Sequence, residues 1–227
     1  MNKTNSWIKL LITITFCCSA LYSSFSQALQ KVNEKSKNPN MVSTYHVLKG
    51  SQIKEGAAEM KYKGKLGFRV KGQFSQGNRS GIWEFFDSDN TIIQKYNYTT
   101  KKFEYLQNFN SLQAVFILKD QDLVKLETGA IPVLLGGDAK FLYFLANNIH
   151  YPHAARAKGA TGTVGVMVTI TKEGEMVRPF IPKPGDKALD AEALRVVSMM
   201  PNDWIPLYLN GEPTDCLVLL YVNFQLG

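Results

Sequence analysis

Disulfides, long charge runs and a proline-rich spacer are all missing from this sequence, and each absence narrows what it can be. Only three cysteines occur, and Cys17 and Cys18 lie in the N-terminal apolar stretch. Cys216 is left without a partner downstream, so an internal disulfide framework is excluded. A chain of 227 residues, 45% hydrophobic and 20% charged, needs no such staples to bury a core. The formal charge of +7 comes without basic runs, because bases alternate with acids as in Lys119-Asp120 and Lys172-Glu173. A surface that tracks nucleic-acid phosphates is therefore not expected. The nine prolines are scattered, so no extended Pro-rich linker is present.

Chemistry-bearing patterns are equally sparse. Of three histidines, His150 and His153 flank Tyr151-Pro152, but no third ligand of the Cys, Asp or Glu type lies beside them. Asp87-Ser88-Asp89-Asn90 opens like a calcium loop yet lacks its glycine and closing glutamate, and reads as a hairpin turn. Cys216 has period-two apolar neighbours and reads as a buried structural thiol. No phosphate-binding glycine loop, serine elbow or paired-carboxylate signature occurs. Neither an enzyme nor a bound cofactor or metal is expected.

The N-terminus has a pattern of its own. Residues 1–9 hold two lysines and no acid, Leu10 to Phe25 is an apolar run of 16 residues, and small residues follow at Ser24 and Ser26. That layout predicts a signal peptide over residues 1–26 and a periplasmic mature protein. The run is shorter than the ~20 residues of a membrane span and is interrupted by Thr13, Thr15, Ser19 and Ser23, so an inner-membrane anchor is the alternative. Loss of Lys3 and Lys9 with the leader takes the formal charge from +7 to +5.

Residues 27–44 are polar and aperiodic, which predicts a flexible lead-in. From 45 to 105 short aromatic-bearing stretches alternate with glycine, which predicts a small antiparallel β-hairpin module. Gly56–Lys63 and Gly81–Ser88 place aromatic residues similarly after a glycine, 25 residues apart, consistent with one hairpin per unit. Residues 106–135 carry Ala114–Leu118 and Leu123–Leu126 around a polar turn and read as a connecting hairpin.

Gly136-Gly137 opens a different pattern. Asp138 is placed to cap a helix with Phe141, Leu142, Leu145 and Ile149 at helical spacing, and Pro152 begins a second short helix that stops at Gly159. Val164, Val166, Val168 and Ile170 alternate as a half-buried strand, Lys172–Glu175 turns, and Met176–Ile181 returns. Asp186 caps the longest helix, with Leu189, Ala193, Val196, Val197 and Met200 inward and Glu192 and Arg195 outward. The last strand has Cys216, Val218, Leu220, Val222, Phe224 and Leu226 on one face. Leu217, Leu219 and Tyr221 line the other before it turns polar at Asn223 and Gln225. A strand apolar on both faces is either covered or used to pair with a partner.

Gly72, Gly77, Gly81, Trp83, Phe85, Phe86 and Asp87, followed by Tyr96 and Tyr98, resemble MORN-type repeats. The stretch from about Gly136 to Gly227 is similar to the C-terminal domain of TonB. The likeness rests on Tyr151-Pro152, Ala155, Gly159, Gly162, Val164-x-Val166-x-Val168, Gly174, Leu189-Asp190-x-x-Ala193-Leu194-Arg195, Pro201, Trp204-x-Pro206, Gly211 and Val222-x-Phe224-x-Leu226. The resemblance implies an α+β fold: a C-terminal two-helix, three-stranded antiparallel domain over 136–227, preceded by the hairpin module.

The resemblance also implies a non-enzymatic function, in which the last strand pairs with an extended segment of an outer-membrane TonB-dependent transporter or other envelope protein. Carried over, the partner-binding edge is Leu217, Leu219, Tyr221, Asn223 and Gln225, with Tyr151 and Pro152 shaping the site and a homodimer through the same strand as a further option. Direct energy coupling is not implied, since residues 10–25 contain no histidine and no spacer is present. The alternative is an envelope scaffolding protein unrelated to transport. The state of the last strand separates the two: free, it favours transporter recognition; covered, it favours scaffolding.

Overall fold

The computed structural model describes residues 28–37, 39–107, 112–120, 122–126 and 131–226. The leader expected over 1–26 lies outside them. Seven strands follow in order: β1 (Leu29–Lys37), β2 (Asn40–Leu48), β3 (Gly56–Tyr62), β4 (Arg69–Ser75), β5 (Asn78–Phe86), β6 (Ile92–Asn97) and β7 (Lys102–Leu106). Each pairs with its sequence neighbours in one antiparallel meander. The segment 27–44 is thus no flexible lead-in, because β1 pairs with β2 from Leu29↔Leu48 to Lys37↔Asn40. β1 is almost wholly exposed, so it carries no apolar period to announce it, and its lysines suit an edge strand.

The module of 45–105 is therefore the larger part of a seven-stranded sheet that starts at Leu29. The two glycine-led segments fall on β3 and β5, each the first strand of a hairpin, β3–β4 and β5–β6. The core of this sheet gathers on Trp83, which is fully buried with Phe68, Val70, Phe74, Phe85 and Tyr96 around it. Trp83 Nε1 donates to the Gln73 carbonyl at 3.0 Å. Its ring lies directly over Gly72, where a Cβ would sit 2.2 Å from Trp83 Cδ2.

The remaining elements are β8 (Leu112–Lys119), β9 (Asp122–Lys125), β10 (Val133–Leu134), α1 (Gly137–Asn148), α2 (His153–Ala157), β11 (Gly162–Ile170), β12 (Met176–Phe180), α3 (Lys187–Ser198), β13 (Trp204–Ile205), β14 (Leu207–Leu209), β15 (Glu212–Thr214) and β16 (Cys216–Phe224). The second main sheet has the order β12-β11-β16-β8-β9, with the small ribbons β10-β13 and β14-β15 beside it. Phe141 of α1 and Leu189, Ala193, Val196 and Val197 of α3 close over Val166, Val168, Val218, Leu220 and Val222. The α+β class holds; the three strands that 136–227 contributes to this sheet, β12, β11 and β16, are neighbours in it, but among the described residues the sheet has five strands and three helices accompany it. The extra strands come from 106–135, which forms the expected hairpin but joins this sheet instead of connecting two modules.

Two local expectations also change. The residue at the N-terminal cap of α1 is Gly136, with no side-chain cap, and Asp138 sits inside the first turn. α1 is buried on two sides, Phe141 facing the second sheet and Tyr143 the meander core, while Leu142 is exposed. Asp186 caps α3 as expected, its Oδ1 accepting from the amides of Ala188 (3.0 Å) and Leu189 (3.1 Å). The meander and the C-terminal unit meet around α1. Buried Gln94 of β6 donates to the Leu134 carbonyl at 2.9 Å and accepts from the Gly136 amide at 2.7 Å. The Tyr143 hydroxyl donates to the Asn40 carbonyl at 3.0 Å.

Candidate functional site

The candidate site is built on β16, whose alternation is that of a strand with one dry face. Cys216, Val218, Leu220, Val222 and Phe224 are buried beneath the helices, while Leu217 and Leu219 are half-buried and Tyr221 and Asn223 exposed on the other side. Burial pushes the Cys216 thiol up to about 12, with the neighbouring Asp215 carboxylate adding to the effect. A thiol held protonated in this way is inert, in keeping with a structural role.

The ladder decides what β16 can accept. On one side it pairs with β11 along its whole length, from Cys216↔Ile170 to Phe224↔Gly162. On the other side β8 occupies it over Leu217↔Phe116, Val218↔Val115, Leu219↔Ala114 and Leu220↔Leu112, with a register shift between Leu219 and Leu220. β16 is therefore an inner strand over Leu217–Leu220, and the edge expected at Leu217 and Leu219 is taken by the chain itself. The physical reason is that the backbone N–H and C=O groups of a strand set in the core need partners, and a neighbour on each side supplies them. A homodimer through this strand meets the same obstacle. Beyond Leu220, no strand among the described residues pairs with Tyr221–Phe224 on the side away from β11. Tyr221 and Asn223 are exposed there, and so is Gln225 just past the strand.

The Tyr151-Pro152 corner lies at the same end. The Tyr151 ring meets Phe224 edge-on at 5.9 Å between centroids, its hydroxyl donates to the Ala160 carbonyl, and the Arg156 guanidinium lies 5.5 Å from its ring centre. Two expected site-shaping residues and three of the five edge residues thus gather at one end of the sheet. The residues that sequence reasoning missed are Ala114, Val115 and Phe116 of β8. Their apolar run was visible, but its pairing partner lies about a hundred residues away.

The histidines have other surroundings. The His150 amide donates to Glu192 Oε1 at 2.6 Å, and Glu192 also accepts from Arg195 Nε at 2.7 Å. Glu192, expected on the outer face of α3, is in fact buried there. Arg195 further donates to the Asn148 carbonyl at 2.6 Å, so this fork ties the end of α1 to α3. Burial pushes the Glu192 carboxyl up, but the hydrogen bonds from Arg195 and the His150 amide outweigh it and hold the group below the usual range. Asp87 serves the β5–β6 turn, its Oδ1 accepting from the amides of Asp89 (3.0 Å) and Thr91 (2.9 Å). Among the described residues, no helix is long and apolar enough to cross a membrane.

Residues 147–226 match the family described as the Gram-negative bacterial TonB protein C-terminal. The match covers about a third of the chain and begins within α1, later than the Gly136 expected from sequence. It includes β11, β12, α3 and β16 and leaves out the β8–β9 hairpin and the meander. The comparisons lend no support to a MORN-type reading of the meander. No curated protein and no solved structure matches the chain.

Proposed function

We propose that this protein is a non-enzymatic, TonB-like envelope protein whose C-terminal unit binds an extended segment of an outer-membrane TonB-dependent transporter by strand addition to β16. The observation that carries the reading is the family match over residues 147–226, which takes in all of β16 and the exposed Tyr221, Asn223 and Gln225 at its C-terminal end. An extended segment laid there gains main-chain hydrogen bonds, and its alternate side chains meet Tyr221, Asn223 and Gln225 on one face. Tyr151, packed on Phe224, bounds the far end. The meander, read as one hairpin per 25-residue unit in the manner of MORN-type repeats, serves as an adaptor that meets the C-terminal unit around α1. Residues 1–26 direct the chain to the periplasm and are removed, which N-terminal sequencing of the exported protein checks.

Isothermal titration against peptides from the periplasmic N-terminal segments of candidate transporters tests the reading. Saturable binding that weakens several-fold in Tyr221→Ala supports it; no binding by a folded protein refutes it. The alternative of an envelope scaffold unrelated to transport draws on a specific observation too, the occupation of Leu217–Leu220 by β8. A folded protein that ignores transporter segments but co-purifies with a cell-envelope component would favour that alternative.

A further inference from the structure

We infer that the cavity between the meander and α1 is a binding site for a small single-ring aromatic carboxylate, with the carboxylate held by Lys140 and the ring set among Tyr62, Phe68 and Tyr143. No residue of β16 takes part, so the site stands apart from the strand-addition reading.

The cavity has a volume of about 310 Å³, at the lower end of the range for small-molecule sites. Three parts of the chain enclose it: the end of β3 with the approach to β4, one face of α1, and the segment that follows α3. Its aromatic wall is fixed. Tyr62 and Phe68 stack at 4.0 Å between centroids and 8° from parallel, and Tyr143 meets both edge-on at 5.5 Å. The Tyr143 hydroxyl is tied to the Asn40 carbonyl at 3.0 Å, so the edge-on ring is held in place. Rings arranged in this way favour a further aromatic ring as occupant.

The polar end is Lys140. Its side chain is 13% exposed, and its stem lies over Gly136, where a Cβ would stand 2.8 Å from Lys140 Cβ. The ammonium has three protons to donate. Among the described residues Asp203 Oδ2 is its one acceptor. Two protons of a nearly dry cation are thus left over, a costly state that an incoming oxygen relieves. Burial holds the Lys140 pKa below its ordinary value despite the Asp203 carboxylate, and the Arg79 guanidinium adds to the effect. Two cations facing one carboxylate call for a single further negative charge. The Tyr62 hydroxyl, without a hydrogen-bond partner among the described residues, is a second donor in the same wall.

The helix sets the length of the ligand. Lys140, Tyr143, Phe144 and Asn147 share one face of α1 and line the cavity in that order. Two helical turns, about 10 Å, separate the first from the last. That distance takes one ring with a short acid chain and leaves no room for a second ring. Met199, 51% exposed, stands at the mouth with its sulfur accepting from Arg195 Nη1 at 2.9 Å.

Isothermal titration of the chain with 3-phenylpropionate tests the assignment, set beside 3-phenylpropionamide, which keeps the shape and loses the charge. One saturable site is expected for the acid, with the amide about tenfold weaker or more, the worth of a charge-assisted hydrogen bond. Lys140→Met should erase that preference, because the acid loses its cation and faces Asp203 while the amide keeps its aromatic seat. Asp203 is 35% exposed, so water can solvate it and the variant should fold, which circular dichroism checks. A Lys140 that serves structure alone would weaken acid and amide equally in the variant, and that result overturns the proposal. Carbon-13 methyl spectra of methionine-labelled protein locate the ligand: the Met199 signal, assigned by its loss in Met199→Leu, should move along the acid's saturation curve. A folded parent that binds no acid, an amide that binds as tightly, or a saturating acid that leaves the Met199 methyl unmoved also overturns it.

Discussion

Replacing Gly72 by alanine should destabilise the meander through a single contact. The added Cβ would stand 2.2, 2.4 and 2.5 Å from Cδ2, Cε2 and Cγ of Trp83. Real atoms do not approach so closely, so either the ring or the β4 backbone must move. The ring has nowhere to go: Trp83 is fully buried, its Nε1 is bound to the Gln73 carbonyl, and it is packed edge-on against Phe74 at 5.2 Å and Tyr98 at 5.9 Å. The Arg79 guanidinium covers it at 4.8 Å. Overpacking of a rigid site falls at the upper end of the usual range, about 3 kcal/mol. For a chain of this size that corresponds to a fall in Tm of about 6–12 °C. Calorimetry or far-UV circular dichroism of Gly72→Ala, Trp83→Leu and the double variant measures both the cost and its origin. In the Trp83→Leu background the clash is gone, so Gly72→Ala should cost less by about 2 kcal/mol. Equal costs in the two backgrounds would show that the ring is not the obstacle and refute the reasoning.

Other outcomes follow from the same packing. Gln94→Leu leaves the Leu134 carbonyl and the Gly136 amide without their partner and should cost about 2–4 kcal/mol; calorimetry should then resolve two transitions where the parent shows one. Glu192→Ala strands Arg195 and the His150 amide and should cost about 2–4 kcal/mol at neutral pH in denaturant titrations. Because the Glu192 carboxyl is held low in the folded state, its contribution is present above the unfolded carboxylate value of about 4.3 and is lost as pH falls through the lower folded value. The stability gap between parent and Glu192→Ala should therefore close in acid, and a gap that widens there would be wrong in sign. Cys216 should stay unlabelled by a thiol reagent at pH 8 until the protein unfolds, and rapid native-state labelling would contradict its buried seat.

What the sequence made legible was local. The alternation of Val164–Ile170, the inward face of α3, the Asp186 cap and the two faces of β16 each depend on residues within a few positions of one another, and each is present. β1 escaped notice because an edge strand bonded only through its backbone needs no apolar period, and its exposed side chains supply none. The second face of α1 at Tyr143 was hidden because a helix between two cores departs from a single stripe. Glu192 looked like surface because its burial depends on the His150 amide and the end of α1 arriving from about forty residues away, which its own helix does not announce. The occupation of β16 was least legible of all. The run Ala114–Leu118 announced a strand, but nothing in a strand's composition names a neighbour a hundred positions away.

That distance has a consequence for how the chain comes together in time. Every pairing in the meander joins consecutive strands, so the loops to be closed are short and the sheet can zip up early. Phe116 must instead find Leu217, and the second sheet is not complete until the two meet. During that interval the β8–β9 hairpin is unpaired on its inner edge and β16 is open on the side away from β11, and such strands attract the wrong neighbour. Folding of this protein should therefore show a fast phase for the meander and a slow one for the C-terminal sheet. In the slow phase, the race for the space beside β16 is first run between β8 and whatever other strand is at hand.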